Sequence, residues 1–186
     1  YALGEWGVLG DLILRWEVVK SNPIRGGSIY YGLDFGYVNP TAALRVYGTG
    51  KEIYIDEEIY ETKLSNEELA ALLKPFLGDA YINCDNEDPR SIAALRNAGI
   101  SALAAKKGKG SVIGGIRYIQ GRKLYVNERC VNLIKELEMY QWKKDRQGDS
   151  MEVPDSTPDH AIDALRYALE GEMKGTSVKI SGLQGN

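Results

Sequence analysis

The sequence contains a single histidine, His160, and only two cysteines, Cys84 and Cys130. So few Cys and His side chains cannot supply the ligands of a structural zinc site, and two cysteines do not make a disulfide framework. Cys84 lies in an apolar stretch and Cys130 near a predicted helix, so we expect both to be buried thiols. No run of 18 apolar residues occurs, so we expect no membrane-spanning helix.

Acidic residues are missing from one long stretch. The chain of 186 residues has a formal net charge of −3, which by itself argues against a nucleic-acid-binding protein. Yet no Asp or Glu occurs between Asp88 and Glu128. The basic residues in that interval are Arg90, Arg96, Lys106, Lys107, Lys109, Arg117, Arg122 and Lys123. They can form one basic face for nucleic acid, or they can be scattered and solvated.

The order of the apolar segments predicts an α/β domain, and the chain is long enough for one core. Strands are predicted at 28–35, 42–47 and 53–60, joined by short turns and loops that are typical of antiparallel neighbours. Helices and strands then alternate, which requires parallel pairing through crossover helices. We therefore expect a mixed sheet, with an antiparallel three-strand meander, parallel strands, and helices on its faces.

Helix starts are predicted from N-capping residues and from proline. The predicted starts are Ser65, Asp88, Ser111, Asn127 and Thr157. Shorter strands are expected at 11–19, 81–85, 100–104 and 124–126. The polar segment 141–157 favours a hairpin near Gly148.

One carboxylate lies in the middle of the first predicted strand. Residues 30–36 read Tyr-Tyr-Gly-Leu-Asp-Phe-Gly, and apolar residues alternate around Asp34. An Asp inside an apolar strand carries a desolvation cost unless it is paired or bound to a metal. Gly32 and Gly36 leave backbone space beside it, as is common where a ligand or another backbone approaches. The alternative is an Asp at a bulge or turn whose side chain accepts backbone N–H groups.

Two further acids stand out by their positions. Asp85 ends the strand predicted at 81–85, and Asp163 lies inside the last predicted helix, where Asp is a poor helix former. If the first strand pairs with the 81–85 strand, Asp34 and Asp85 can lie side by side, and a helix over that end can add Asp163. Converging carboxylates repel unless cations neutralise them, and oxygen ligands suit Mg²⁺ or Mn²⁺. Two such ions about 4 Å apart are the usual arrangement for phosphodiester hydrolysis.

We interpret His160 and the acids at 56–58 from their positions in the predicted elements. His160 precedes Asp163 by three residues, so both share one helix face. The functional interpretation of His160 is a metal ligand or a proton shuttle, and the alternative is helix capping or surface packing. Residues 56–58, Asp-Glu-Glu, are expected to be an exposed strand end.

The segment 106–111 reads Lys-Lys-Gly-Lys-Gly-Ser and is basic and glycine-rich. It does not match a P-loop, because no Gly precedes Gly108 by five residues. Contact with a nucleic-acid backbone through lysines and loop amides fits better, with a solvated loop as the alternative. The residues predicted to bind DNA are Lys106, Lys107, Lys109, Ser111 and Arg117.

Three segments in this order resemble the nuclease domain of phage terminase large subunits. They are Tyr-Gly-Leu-Asp-Phe-Gly at 31–36 with Asn-Pro-Thr-Ala at 39–42, Cys-Asp-Asn-Glu-Asp-Pro-Arg-Ser-Ile at 84–92, and Asp-His-Ala-Ile-Asp-Ala-Leu-Arg-Tyr at 159–167. Residues 6–9 and 106–112 are also similar to that family. The resemblance covers nearly the whole chain.

The resemblance implies an RNase H-like fold and an endonuclease that depends on Mg²⁺ or Mn²⁺, with two ions. Such enzymes cut concatemeric viral DNA during genome packaging. The implied metal-binding and catalytic residues are Asp34, Asp85, Asp163 and His160. On this interpretation Gly32 and Gly36 leave room for the metal ions and the scissile phosphate.

The family also implies a longer protein, with an N-terminal ATPase domain whose Walker A loop does not occur in this sequence. We expect residues 1–25 to be a linker from that domain, 26–175 to be the nuclease domain and 176–186 to be a flexible tail. Implied partners are double-stranded DNA, the ATPase domain, the portal protein and the small terminase subunit, in the host cell cytoplasm and without a membrane. Open alternatives are another RNase H-like nuclease of resolvase or integrase type, and a non-catalytic module that docks on DNA or the portal.

Overall fold

The computed structural model describes residues 12–106, 108, 110–155 and 157–173. Predictions for 1–11, for Lys107 and Lys109 and for 174–186 lie outside the described residues. The strands are β1 Glu17–Val19, β2 Ser28–Asp34, β3 Thr41–Gly48, β4 Glu52–Glu61, β5 Ile82–Cys84, β6 Ala102–Ala104, β7 Lys123–Asn127, β8 Trp142–Lys144 and β9 Ser150–Pro154. The helices are α1 Asn66–Leu77, α2 Pro89–Asn97, α3 Ser111–Gln120, α4 Val131–Met139 and α5 His160–Met173.

Seven strands form one mixed sheet in the order β1-β7-β4-β3-β2-β5-β6. Strands β2, β3 and β4 are antiparallel neighbours, and the other neighbours pair in parallel. Strands β8 and β9 form a separate hairpin, in which Gly148 has a φ of 89°. The predicted mixed sheet with its three-strand meander is confirmed.

Helices cover both faces of this sheet. Helices α1 and α2 pack on one face, and α3, α4 and α5 pack on the other. The alternation along β2 decides which helices each side chain meets. Tyr31 and Leu33 face α1 and α2, whereas Tyr30, Gly32 and Asp34 face α5. Asp34 therefore points to the helix that carries His160 and Asp163.

Helix α5 lies against β2 at backbone distance. A Cβ atom on Gly32 would overlap the carbonyl oxygen of Ala164 and lie 2.5 Å from the nitrogen of Ala168. The prediction that Gly32 leaves room for metal ions is wrong, because the helix fills that space. Gly36 likewise faces the turn at Asn39, whose carbonyl oxygen would lie 2.5 Å from an added Cβ. Both glycines permit close backbone packing, and Gly36 also lines the cleft beside Asp34.

Two of the five predicted helix starts are confirmed. Ser65 forms a capping box with Glu68 at the start of α1. The Asp88 carboxylate accepts the N–H of Ser91 at 3.0 Å at the start of α2, and Pro89 occupies the first helical position. Both starts are fixed by residues adjacent in sequence, which is why the pattern finds them.

The other three helix starts are displaced. Gly110, in the left-handed conformation with a φ of 83°, precedes α3, so Ser111 is its first helical residue and not its cap. Asn127 ends β7, where its buried side chain donates to the Tyr54 hydroxyl at 2.9 Å, and α4 begins only after Cys130. Helix α5 begins at His160 and not at Thr157. For α4 the local signal gives way to strand pairing, because Asn127 is the last residue of β7.

The expectation that residues 56–58 are an exposed strand end is wrong for two of the three. Strand β4 lies inside the sheet, between β3 and β7. Asp56 is buried and accepts two hydrogen bonds from Arg45, at 2.8 and 2.9 Å. Glu58 accepts the N–H groups of Asn132 and Leu133 at 3.0 and 3.1 Å. Glu57 is exposed, as predicted.

The two cysteines are buried, as predicted. Burial raises the pKa of the Cys84 thiol and of the Cys130 thiol to about 12. Both therefore act as small apolar residues and not as nucleophiles. No helix in the described residues is both long enough and apolar enough to cross a membrane.

Part of the segment 1–25 belongs to this fold. Strand β1 pairs with β7 at the edge of the sheet. Ile13 and Leu14 lie in the core beside α4, and the Ile13 N–H donates to the Tyr140 carbonyl at 2.9 Å. These contacts anchor the described start of the chain to the sheet.

The exposed glycine Gly114 in α3 gives a test of local helix stability. No atom lies within 4 Å of a Cβ added there. Gly114→Ala should therefore raise the free energy of unfolding by about 0.5–1 kcal/mol, because alanine loses less backbone entropy in a helix. Urea unfolding measures this, and a loss of stability would show that α3 is not helical at this position.

Candidate active site

The carboxyl ends of β2 and β5 meet at one edge of the sheet. Gly32 pairs with Asn83 and Leu33 with Cys84 in a parallel register. The Asp85 N–H then donates to the Leu33 carbonyl at 2.9 Å. Asp34 ends β2 and Asp85 follows β5, so the two acids lie on adjacent strand ends, and the pairing that the sequence left as a condition is present.

Helix α5 begins at the same edge. The His160 Nδ1 lies 3.0 Å from the Asp34 Oδ2, and Asp163 follows within the first turn. An open cleft of about 480 Å³ lies between these elements. Its acidic and histidine lining residues are Asp34, Asp85, Glu87, Asp159, His160 and Asp163. The structure thus brings together the four residues predicted from sequence to form the site.

The electrostatics of the cleft are dominated by Asp34. The pKa of this carboxyl is raised from 3.8 to about 7, chiefly by burial and also by the charges of Asp163 and Asp85. The hydrogen bond from His160 acts in the opposite direction. Without a cation, ionising Asp34 is therefore costly, which is the condition that a divalent metal ion relieves.

Asp159 is a cleft residue that the sequence reasoning did not single out. Burial raises the pKa of its carboxyl, and the charge of Asp163 adds to that effect. The spacing of four residues between Asp159 and Asp163 was the available signal, because positions i and i+4 are neighbours along a helix.

Each predicted metal ligand also has a partner within the protein. Arg166 donates to the Asp163 Oδ1 at 3.0 and 2.6 Å, and the Asp85 Oδ1 accepts the Glu87 N–H at 3.1 Å. Among the described residues, no three Asp, Glu, His or Cys side chains stand close enough together to hold a metal ion as they are. Carboxylate oxygens are donors of the type that Mg²⁺ and Mn²⁺ prefer, but these side chains would have to rotate to coordinate one ion.

A second cleft, of about 560 Å³, adjoins the first. The two clefts share Glu87, Asp163 and Tyr167. Lys106 and Ser111, both predicted to bind DNA, line the second cleft. These two residues therefore lie next to the acidic site.

The arginines of the acid-free stretch do not all lie on one face of the sheet. Arg90 and Arg96 lie on α2, which packs on one face, whereas Arg117 and Arg122 lie on α3, which packs on the other. Arg117 makes an exposed ion pair with Glu152 at 2.8 Å. The expectation of a single basic face is therefore wrong for these helices.

Glu136 is the buried acid that the sequence reasoning missed. It lies on α4 with only 2% of its surface exposed, on the same side as Leu133 and Leu137. Its carboxylate accepts the N–H groups of Ala161 and Ile162 at 2.8 and 3.0 Å. The available signal was a charged residue at an inward position of an amphipathic helix.

A family model of the terminase RNase H-like domain matches residues 34–171. The chain belongs to this family. The matched range includes all four residues that meet at the acidic cleft, from Asp34 to Asp163. It also includes β3 to β9, all the crossover helices and most of α5.

Two proteins that are similar to this chain are named as terminase large subunits, which is consistent with this family. The chain is 31% identical over 193 residues to the PBSX phage terminase large subunit of Bacillus subtilis (strain 168), covering 95% of this chain and 45% of the relative. It is 34% identical over 186 residues to the terminase large subunit of Bacillus phage SPP1, covering 96% of this chain and 42% of the relative. The chain therefore spans less than half the length of these relatives.

A solved structure shows the same fold. The crystal structure of the large terminase nuclease domain of bacteriophage SPP1, with bound Mn, superposes with a TM-score of 0.79 at 29% identity. The match covers 88% of this chain and 99% of that domain. The RNase H-like fold expected from the sequence is confirmed.

Proposed function

We propose that this chain is a metal-dependent DNA endonuclease domain of a terminase large subunit. The observation that carries the proposal is that Asp34, Asp85 and Asp163, from three separate elements, line one open cleft. Family membership and the similarity to a Mn-bound nuclease domain support it. The resolvase or integrase alternative loses support, because the matching family is that of the terminases.

The proposed ligands of two Mg²⁺ or Mn²⁺ ions are Asp34, Asp85, Asp163 and His160. Bound ions of this kind activate a water and stabilise the leaving oxygen in phosphodiester hydrolysis. The protein would contribute a rigid ligand, Asp34 at the end of β2. The His160 imidazole, 3.0 Å from that carboxylate, would orient it. Hydrolysis of this type leaves 3′-hydroxyl and 5′-phosphate ends.

Double-stranded DNA is the proposed substrate. Lys106, Lys107, Lys109, Ser111 and Arg117 are its proposed contacts. Lys106 and Ser111 lie beside the acidic cleft, so they could bind the DNA phosphates next to the phosphate that is cleaved. Residues 26–175, together with Ile13, Leu14 and strand β1, would form the nuclease domain, joined through the remainder of 1–25 to an ATPase domain and followed by the tail 176–186. The portal protein and the small terminase subunit would be partners in the host cytoplasm.

Metal binding gives the first test. At 100 times its Kd, a ligand that binds only the native state adds about 2.7 kcal/mol of stability. For a chain of this size, Mn²⁺ should therefore raise Tm by roughly 5–10 °C. Asp85→Asn should abolish most of that rise, because it removes a charged ligand but keeps an acceptor for the Glu87 N–H. Asp79→Asn, at an exposed turn, is the matched control and should behave as wild type.

Cleavage gives the second part of the test. Supercoiled plasmid should be nicked or degraded with Mn²⁺ and left intact with EDTA. A protein that binds DNA but shows neither cleavage nor a Mn²⁺-dependent Tm would be the non-catalytic docking module. A preference for four-way junctions would instead support a resolvase-type activity.

A further inference from the structure

Backbone N–H groups in the first turns of α4 and α5 donate to carboxylates that are distant in sequence. Glu58 of β4 accepts the N–H groups of Asn132 and Leu133 at 3.0 and 3.1 Å, while Cys130, at the N-cap of α4, makes no side-chain cap hydrogen bond. One helix later, Glu136 of α4 accepts the first N–H groups of α5. Each carboxylate meets the positive end of a helix dipole and satisfies backbone donors there.

The three hydrogen bonds of Glu136 connect three elements. Its Oε2 accepts the N–H groups of Ala161 and Ile162 at 2.8 and 3.0 Å. Its Oε1 accepts the Tyr60 hydroxyl of β4 at 2.8 Å. An N-cap side chain adjacent to a helix can satisfy such amides, but it would not tie the start of α5 to α4 and β4.

The two amides held by Glu136 lie between the site residues of α5. Ala161 directly follows His160, and Ile162 directly precedes Asp163. We propose that Glu136 is a positioning residue: through these amides it fixes the start of α5, and so sets His160 and Asp163 relative to Asp34. The part that concerns metal binding rests on the proposed function, whereas the placement of His160 does not.

The first experiment needs neither metal nor DNA. His160 is the only histidine, so its imidazole Cε1–H gives a single proton NMR resonance that reports on its contact with Asp34. Glu136→Ala should shift and broaden this resonance. Glu138→Ala, an exposed acid on the same helix, should leave it unchanged. Glu136→Gln should largely restore it, because the amide oxygen can accept both N–H groups while its NH₂ donates to Tyr60.

The second experiment measures Mn²⁺ binding by titration calorimetry. Glu136→Ala should weaken Mn²⁺ binding about tenfold, as is usual for residues that orient metal ligands, and Glu136→Gln should stay within about threefold of wild type. If Glu136→Ala does not fold, Tyr60→Phe removes only the hydroxyl that anchors the carboxylate and should show a smaller change in the same direction.

Two outcomes separate a positioning role for Glu136 from a purely stabilising one. If Glu136→Ala or Tyr60→Phe lowers Tm but leaves both the His160 resonance and the Mn²⁺ Kd unchanged, Glu136 only stabilises the fold and the inference is wrong. If wild-type protein does not bind Mn²⁺ at all, the proposed function fails, while the His160 resonance still decides whether Glu136 positions α5.

Discussion

Asp34→Asn should abolish Mn²⁺-dependent cleavage and at the same time make the metal-free protein more stable above pH 7. The variant keeps the size of the side chain and an oxygen that can accept from His160, but it removes a charge from the acidic cleft. Loss of a residue that only orients metal ligands lowers metal affinity or activity about 10–100-fold. Loss of this proposed ligand should therefore lower the cleavage rate by more than about 100-fold.

The stability change follows from the raised pKa of Asp34, from 3.8 to about 7. Between these pH values the folded protein holds a proton that the unfolded chain has lost. The free energy of unfolding of the metal-free wild type should therefore fall as pH rises from 4 to 7 and change little from this group above that. An amide does not ionise, so above pH 7 the variant should be more stable by up to about 4 kcal/mol.

Urea unfolding in EDTA at pH 5 and pH 8 measures this difference. Asp79→Asn removes a charge of the same kind at an exposed turn, and it should change neither the pH dependence nor the cleavage rate. Wild-type cutting by Asp34→Asn would contradict the proposed role of Asp34. Equal free energies of unfolding for variant and wild type at pH 8 would show that the pKa of the buried Asp34 carboxyl is not raised in the folded protein.

Gly32→Ala should destabilise the protein strongly. The new Cβ would overlap the Ala164 carbonyl oxygen and press on the Ala168 nitrogen, and neither backbone atom can move without shifting α5. We expect a loss of about 3 kcal/mol or more, or roughly 6–12 °C in Tm. Thermal unfolding measures the loss directly.

Gly114→Ala adds the same methyl group where nothing lies within 4 Å, so it is the matched control and should not destabilise. Gly32→Ala protein that still folds should have α5 displaced from β2. Its Mn²⁺-dependent cleavage should therefore fall, because His160 and Asp163 move away from Asp34. Unchanged stability together with unchanged cleavage would mean that α5 does not pack on β2 as described.

Short-range chemistry explains what the sequence could predict. The alternation of side chains along 28–34 predicted β2, and the Ser65 capping box and Asp88 predicted the starts of α1 and α2. The sequence left the parallel pairing of β2 with β5 as a condition, because crossover connections narrow the alternatives without selecting one. With that pairing, the adjacency of Asp34 and Asp85 follows.

Contacts between distant segments explain what the sequence could not predict. Gly32 was predicted to leave room for metal ions, because a glycine indicates that some group approaches closely but not which group it is. Glu58 was assigned to an exposed strand end, because its partners lie 74 and 75 residues away along the chain. Sequence patterns describe what a residue prefers among its neighbours, and these partners are neighbours only after folding.

The sequence by itself therefore determined the mixed sheet with its three-strand meander, the presence of helices on its faces and four of the residues in the acidic cleft, because strand alternation, capping and family motifs are local in the chain. Only the tertiary structure decided how those four residues are held. Helix α5 packs on Gly32 without intervening side chains, Glu136 fixes its first turn from α4, and the Asp34 carboxyl is buried beneath it. Each of these is a long-range contact with no sequence period, which forms only when the sheet and helices have packed together.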